Sequence, residues 1–364
     1  MIVKLAGGVA ETGRSCFFVR GERTAFLVDC GLQEDDDAPY PRLSPQEIAG
    51  ARYVFLTHSH PAHTGAFTWL RYNGFTGTVV ASRPTLRQLP FAPVKAVPLE
   101  RFHPPAGLSV RWGKSGHCVG SVWYAIEAEG VPLLFCGAYI ENAAVCRTDP
   151  IRGERAQLAV LDGSFGPAVG EAAALRADFL RAAQQALQAG GPLLLPVPKY
   201  GCGLELALAL AHAQPQLPLC GDAHFARQLR QALQEPGWLR PAAAEVLQAI
   251  DLAPAAPAEG GCAVFVSDPQ LRSPASQRCA RGVLRAGGRI LLTSHSALGG
   301  YAARLLEAGR AGLCVAPVHG SARARRRLTR QNHLERVIEA CAPGPAPAAR
   351  MLELAAGAAQ AVEK

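Results

Sequence analysis

The sequence predicts an α/β protein built from more than one layered unit. In the first third, short apolar runs alternate with Gly- or His-bearing turns. In the middle third, strand patterns alternate with helical patterns of about 10–15 residues, which argues for a parallel α/β layer. The chain has 364 residues, enough for two domains or one large fold with an insertion, and either can bury a substantial core.

Taken in order, CFFVRG, TAFLVDCG and RYVFLTH read as strands with Gly or His at their exits, followed by TGTVVAS and VWYAIEAEGVPLLFCG. QLAVLDGSFG is a further buried strand ending in a turn. The helix ALRADFLRAAQQALQAG comes next, with Gly190 and Gly191 as its stop. PLLLPVP is a strand, LELALALAHA an apolar helix and FARQLRQAL another helix. DLAPAAPAEGG reads as a surface loop, and CAVFVSD and GRILLTS are strands on either side of the helix SQRCARGVLRAG. PGPAPAA, from Pro343 to Ala349, is expected to separate the last helix from a terminal apolar stretch.

The segment THSHPAHTG, directly after the strand RYVFL, carries the chemistry. His58 and His60 lie two positions apart on a turn and His63 three further on, which is metal-ligand spacing. Eleven cysteines with no C-x-x-C pair read as reduced, mostly buried thiols. No apolar run reaches the roughly 18–20 residues of a membrane span, and the N-terminus lacks a signal-peptide core. The expectation is therefore a cytoplasmic protein with no membrane partner. A net charge of +8 favours an anionic partner, RNA or DNA. The densest basic run is Arg323, Arg325, Arg326, Arg327 and Arg330, read either as a solvated helix face or as sequence-blind phosphate contacts.

Several segments together resemble the β-CASP branch of the metallo-β-lactamase superfamily, the branch of the pre-mRNA 3′-end endonuclease and RNase J. They are GGVAETGRSCFFV, FLVDCG, THSHPAHTG, GKSGHCVGS, LLFCGAYIEN, LDGSFG, GGPLLLPVPKYGCGLELALAL and the stretch from VFVSD to LLEAG, all in the expected order. The resemblance covers roughly residues 1–312. It implies an αββα sandwich with an inserted α/β β-CASP domain: residues 1–166 as the first part of the metallo-β-lactamase domain, 167–312 as the insertion and 313–364 as the return segment.

The resemblance also implies a zinc-dependent nuclease. One zinc position would take His58, His60 and His117. The second would take the metal loop's Asp, His63 and a distant His, with a bridging Asp between the ions. In this chain the loop Asp is Ala62, the bridging Asp is Ala138, and the distant slot aligns with Ala356, with His319 in PVHGS as an alternative. At most one zinc is expected, or two if both aspartates are restored. Asp29 is expected to orient a ligand imidazole, and Asp162 to buttress a general-acid histidine whose slot aligns with Leu328, with His333 nearby. His295 falls where the family lines its inter-domain cleft. Three readings stay open: an inactive or impaired homologue that binds nucleic acid or a partner such as an active homologue; a hydrolase with one zinc; and a two-zinc enzyme disabled by Asp-to-Ala changes at 62 and 138.

Overall fold

The computed structural model describes residues 1–166, 170–188, 190–255, 260–294, 299–342 and 349–355. Strand alternation sorts the aromatic residues of the first third onto two faces. In Cys16–Arg20, Phe17 and Val19 point into one core, while Cys16 and Phe18 point into another. Phe26 and Val28 against Leu27, and Phe55 against Val54, repeat the pattern. These strands belong to a seven-stranded sheet in the order Met351–Glu353, Ile2–Gly7, Cys16–Arg20, Ala25–Val28, Tyr53–Phe55, Thr78–Ala81, Ala96–Pro98.

The inner face packs on a five-stranded sheet in the order Val337–Ala340, Leu158–Asp162, Val131–Phe135, Val122–Ala128, Leu108–Lys114. Phe17 meets Phe135 across the gap with ring centroids 5.7 Å apart, and Phe55 meets Tyr124 at the same separation. Burying each such ring contributes roughly 1.5–3 kcal/mol to holding the two sheets together. The outer face of the first sheet is covered by helices carrying Ile48, Phe67 and Leu70. Trp123, Ala125 and Leu161 of the second sheet pack with Leu328 of the helix Ala322–Arg330. The result is the helix–sheet–sheet–helix layering that the resemblance implies.

A third sheet of six parallel strands runs in the order Leu252–Pro254, Leu219–Gly221, Ala263–Val266, Leu193–Pro196, Arg289–Leu292, Ala311–Leu313. Its central strands, LLLP and AVFV, are buried throughout, as a parallel sheet covered on both faces demands. One cover is the helix Cys202–Ala213, buried from Cys202 to Leu210. Its one acidic residue, Glu205, accepts the Ala144 and Val145 backbone N–H groups at 3.1 and 2.7 Å, tying this unit to the sandwich.

Two expectations fail. LSVRWGK, passed over in the sequence, forms the edge strand Leu108–Lys114. The last helix does not run up to Pro343. It stops at Arg330, and VIEA forms a strand parallel to Leu158–Asp162, because β-branched Val337 and Ile338 suit a pleated surface. Residues 343–348 lie outside the described residues, as do His295 and Ala356. All eleven cysteines are free and nine are buried. Among the described residues no helix is long and apolar enough to cross a membrane.

Candidate metal centre

Strand exits build the site. Tyr53–Phe55 ends in Leu56-Thr57-His58, and Pro61 at the first position of the short helix Pro61–Thr64 fixes the turn after His60. Asp29 follows Ala25–Val28 in a left-handed conformation, φ 60°, which carboxamide and carboxylate side chains tolerate better than most. It is buried, and Oδ1 accepts the Thr57 N–H at 2.7 Å while Oδ2 accepts from His63 Nδ1 at 2.7 Å.

The ligand atoms of His58, His60 and His117 lie within 4.8 Å of one another. Each ring is anchored through its other nitrogen. His58 Nδ1 meets Thr57 Oγ1 at 3.0 Å, whose own proton goes to Asp29. His60 Nε2 donates to the Tyr200 carbonyl at 3.1 Å and His117 Nδ1 to the Val318 carbonyl at 2.8 Å. With those protons assigned from their partners, His58 Nε2, His60 Nδ1 and His117 Nε2 are bare lone pairs. Two of them face each other at 3.2 Å, a repulsion that a cation between the rings removes.

Burial, then the neighbouring imidazoles, hold His58 and His117 well below the usual histidine range; the same effects bring His60 down to about 4. Neutral imidazoles are the form that binds metal. Three such imidazole nitrogens are a ligand set that fits one zinc ion.

The second position does not fit a metal. Ala62 and Ala138 offer no side-chain donor, and the Ala62 carbonyl accepts the Ser15 N–H at 2.8 Å. What remains is a cavity of about 20 Å³ lined by Asp29, His63, Ala138, Asp162 and Cys341 among others, room for about one water. Asp29 is engaged as described. Asp162 accepts from the Tyr139 N–H at 3.0 Å, from Ser164 Oγ at 2.7 Å and from His319 Nδ1 at 2.7 Å.

One imidazole and one thiol, with His63 Nε2 and Cys341 Sγ 4.0 Å apart, fall short of the four ligands zinc takes. Burial opposes charge on His63, yet the Asp29 carboxylate and then the Cys341 sulfur push it up to about 10.

Several sequence expectations are corrected. The strand that ends beside His63 is Val337–Ala340, which brings Cys341 next to it, while Ala356 lies outside the described residues. Asp162 pairs with His319, not with a group at position 328. Leu328 is a 4 % exposed core residue, and His333 sits in a two-stranded pairing with Arg155. His319 is thereby the residue the sequence misjudged. Its signal was the Gly-Ser pair that follows it, because Ser321 caps the helix Ala322–Arg330.

Burial also removes Arg325 from any phosphate surface, since it donates to the Phe165 and Gly320 carbonyls and to Glu339. Arg323, Arg326, Arg327 and Arg330 are exposed. Arg325→Ala is expected to cost about 1–3 kcal/mol in urea unfolding and to leave the salt dependence of oligonucleotide binding unchanged. A shallower salt slope would return Arg325 to the interface.

The comparisons agree with this geometry. Residues 9–134 match the family model described as the metallo-beta-lactamase superfamily. The chain is 26% identical over 258 residues to ribonuclease TTHA0252 of Thermus thermophilus, covering 62% of this chain and 58% of that protein. It is 36% identical over 86 residues to transcription termination factor FttA of Methanocaldococcus jannaschii, covering 23% of this chain and 14% of that protein. It is 23% identical over 253 residues to cleavage and polyadenylation specificity factor 73 of Drosophila melanogaster, covering 59% and 36%. The chain thus spans between 14% and 58% of the length of these relatives. A solved protein of unknown function from Enterococcus faecalis V583 shares the fold with a TM-score of 0.59 at 11% identity, over 94% of both chains. Residues 9–134 thus carry a metallo-β-lactamase superfamily domain, and the chain around it is similar to relatives named as a ribonuclease, a transcription termination factor and a cleavage and polyadenylation specificity factor.

Proposed function

We propose that this chain is a β-CASP nuclease homologue that holds a single zinc ion at His58, His60 and His117, grips RNA or DNA, and cleaves phosphodiesters poorly or not at all. It would then serve as a nucleic-acid-binding or partner-binding subunit, for instance beside an active homologue. The observation that carries this reading is the contrast between the two metal positions. The first keeps three oriented imidazoles, while the second has lost both side-chain carboxylates at Ala62 and Ala138. A bound zinc supplies charge to polarise a phosphoryl oxygen and to acidify water. The chain's own residues orient the three rings through Thr57, Tyr200 and Val318.

The domain limits proposed are 1–166, 167–312 and 313–364, with the exposed arginines of Ala322–Arg330 as sequence-blind phosphate contacts. A cytoplasmic setting suits eleven unpaired cysteines.

A second reading, a one-zinc hydrolase, draws on the intact His319–Asp162 pair. Burial would raise Asp162, but His319, Ser164 and the Tyr139 N–H outweigh it and hold the carboxyl below the usual range. Asp162 orients the His319 ring through Nδ1, which leaves Nε2 as the ring nitrogen that would face a leaving oxygen.

Metal analysis and a nuclease assay on single-stranded RNA and DNA test both readings. We expect about one zinc per chain, none after His58→Ala with His117→Ala, and salt-dependent binding with little cutting. Sustained cutting abolished by His319→Ala would select the hydrolase, and two ions in the unaltered protein would overturn the single-ion reading.

A further inference from the structure

The loop Lys199-Tyr200-Gly201 joins the third sheet to the helix Cys202–Ala213 and lies directly on the metal centre. Its Tyr200 carbonyl accepts from His60 Nε2, and Gly201, at φ 85°, sits so close to His117 that an added Cβ would lie 2.6 Å from that residue's carbonyl oxygen. The loop is locked from the other side by Gln228, a buried residue of the helix Ala223–Leu233. With its amide oriented by its partners, Gln228 donates to the Lys199 carbonyl at 3.0 Å and accepts from the Gly201 N–H at 2.7 Å.

Locking the backbone at Gln228 sets the side chains around it. Arg227 is the adjacent residue and His224 lies one turn earlier on the same helix, so both flank Lys199. Burial, and then the charges of Lys199 and Arg227, lower His224 from its usual value. The same Arg227 charge acts on the half-buried Tyr200. Lys199 and Arg227 are exposed, and among the described residues neither is drawn into an ion pair. The nearby carboxylate, Asp222, is occupied in capping Phe225 and accepting from Ser267. Two unneutralised cations and the His224 imidazole thus stand around the Lys199–Gly201 backbone, which is fixed at Gln228 on one side and touches His60 through Tyr200 on the other. This is an arrangement that self-repulsion disfavours unless an anion settles there.

We infer that Lys199, Arg227 and His224 form a phosphate clamp on the inserted unit, which holds a backbone phosphodiester of a nucleic-acid strand next to the His58–His60–His117 centre. The inference rests on the proposed nucleic-acid role and adds the side from which the strand is held. The arginines of Ala322–Arg330 follow His319 in the return segment and are a separate group of cations from Lys199 and Arg227. Such contacts fix register and position without reading bases.

The test is fluorescence-anisotropy titration of the full chain with a labelled single-stranded oligonucleotide, in RNA and DNA forms, across a salt series. Lys199→Ala/Arg227→Ala is compared with Arg20→Ala/Arg23→Ala, which removes the same charge at the sheet end opposite the metal loops. We expect the first pair to weaken binding about tenfold or more near 100 mM salt and to flatten the log–log salt slope by about 1.4, two phosphate contacts' worth. The control pair should leave both quantities near their starting values, and zinc content should be unchanged in all variants. Equal losses in both double variants, or no loss in the first, would overturn the clamp while leaving the nucleic-acid role standing. No binding by the unaltered chain would overturn both.

Discussion

Ala62→Asp together with Ala138→Asp is expected to raise the zinc content from about one to about two per chain and to increase cutting of single-stranded RNA or DNA by at least ~10². The structure also predicts a cost. Position 138 borders a cavity of about 20 Å³ already shared by the Asp29 and Asp162 carboxylates, so a third buried carboxylate there is strongly disfavoured until a cation arrives. The metal-free double variant should therefore be less stable than the unaltered protein by about 3 kcal/mol or more, and added zinc should restore it. Its melting temperature becomes metal-dependent as a result.

Cys341 Sγ lies 4.0 Å from His63 Nε2, so Cys341→His on that background should tighten the second site further. Calorimetry and metal analysis read both effects. A double variant that is equally stable with and without zinc would show that the two carboxylates do not converge on a shared ion.

The second large effect is expected from Asp29→Asn. Asp29 orients Thr57 and His63 at once and keeps His63 charged up to about pH 10 in the metal-free protein. A folded-state value above the ordinary 6.5 means that protonated His63 favours folding. That contribution is complete below about pH 6.5 and disappears as the pH rises through 10. Replacing the carboxylate should cost about 3–5 kcal/mol at pH 6, the magnitude for breaking a buried charge pair. Near pH 10 only the loss of neutral hydrogen bonds remains, about 1 kcal/mol. Urea unfolding at the two pH values, with chelator present, separates the cases. An identical loss at both would mean that His63 carries no charge in the folded protein.

Much of the fold was legible because strand alternation and buried parallel runs leave direct marks. FLVDCG and RYVFLTH announced both their burial and the chemistry at their exits, and LLLP and AVFV announced a sheet covered on both sides. The first metal position was equally open, because two of its three ligands lie in one turn. The C-terminal part was not. Leu328 was favoured for the acid-partner slot by position in the sequence, yet helix periodicity turns it into the core beneath Trp123.

His319 and Cys341 reach the site through long-range pairing. Strand Val337–Ala340 lies parallel to Leu158–Asp162, a register no local pattern encodes. Arg325 misled for a related reason. Five arginines in eight positions read as one charged face, but a nine-residue helix turns one of them inward.

The carbonyls that aim His60 and His117 come from Tyr200 and Val318, separated from them by 140 and 201 positions. Neither imidazole can point correctly until the insertion has docked and the chain has returned across the sandwich. An ion would therefore find its ligands oriented only after the separate layers have come together. Held there, an ion would tie the His58–His60 turn to His117 and, through their carbonyl partners, to the Tyr200 and Val318 segments, and a chelator should loosen these four stretches together.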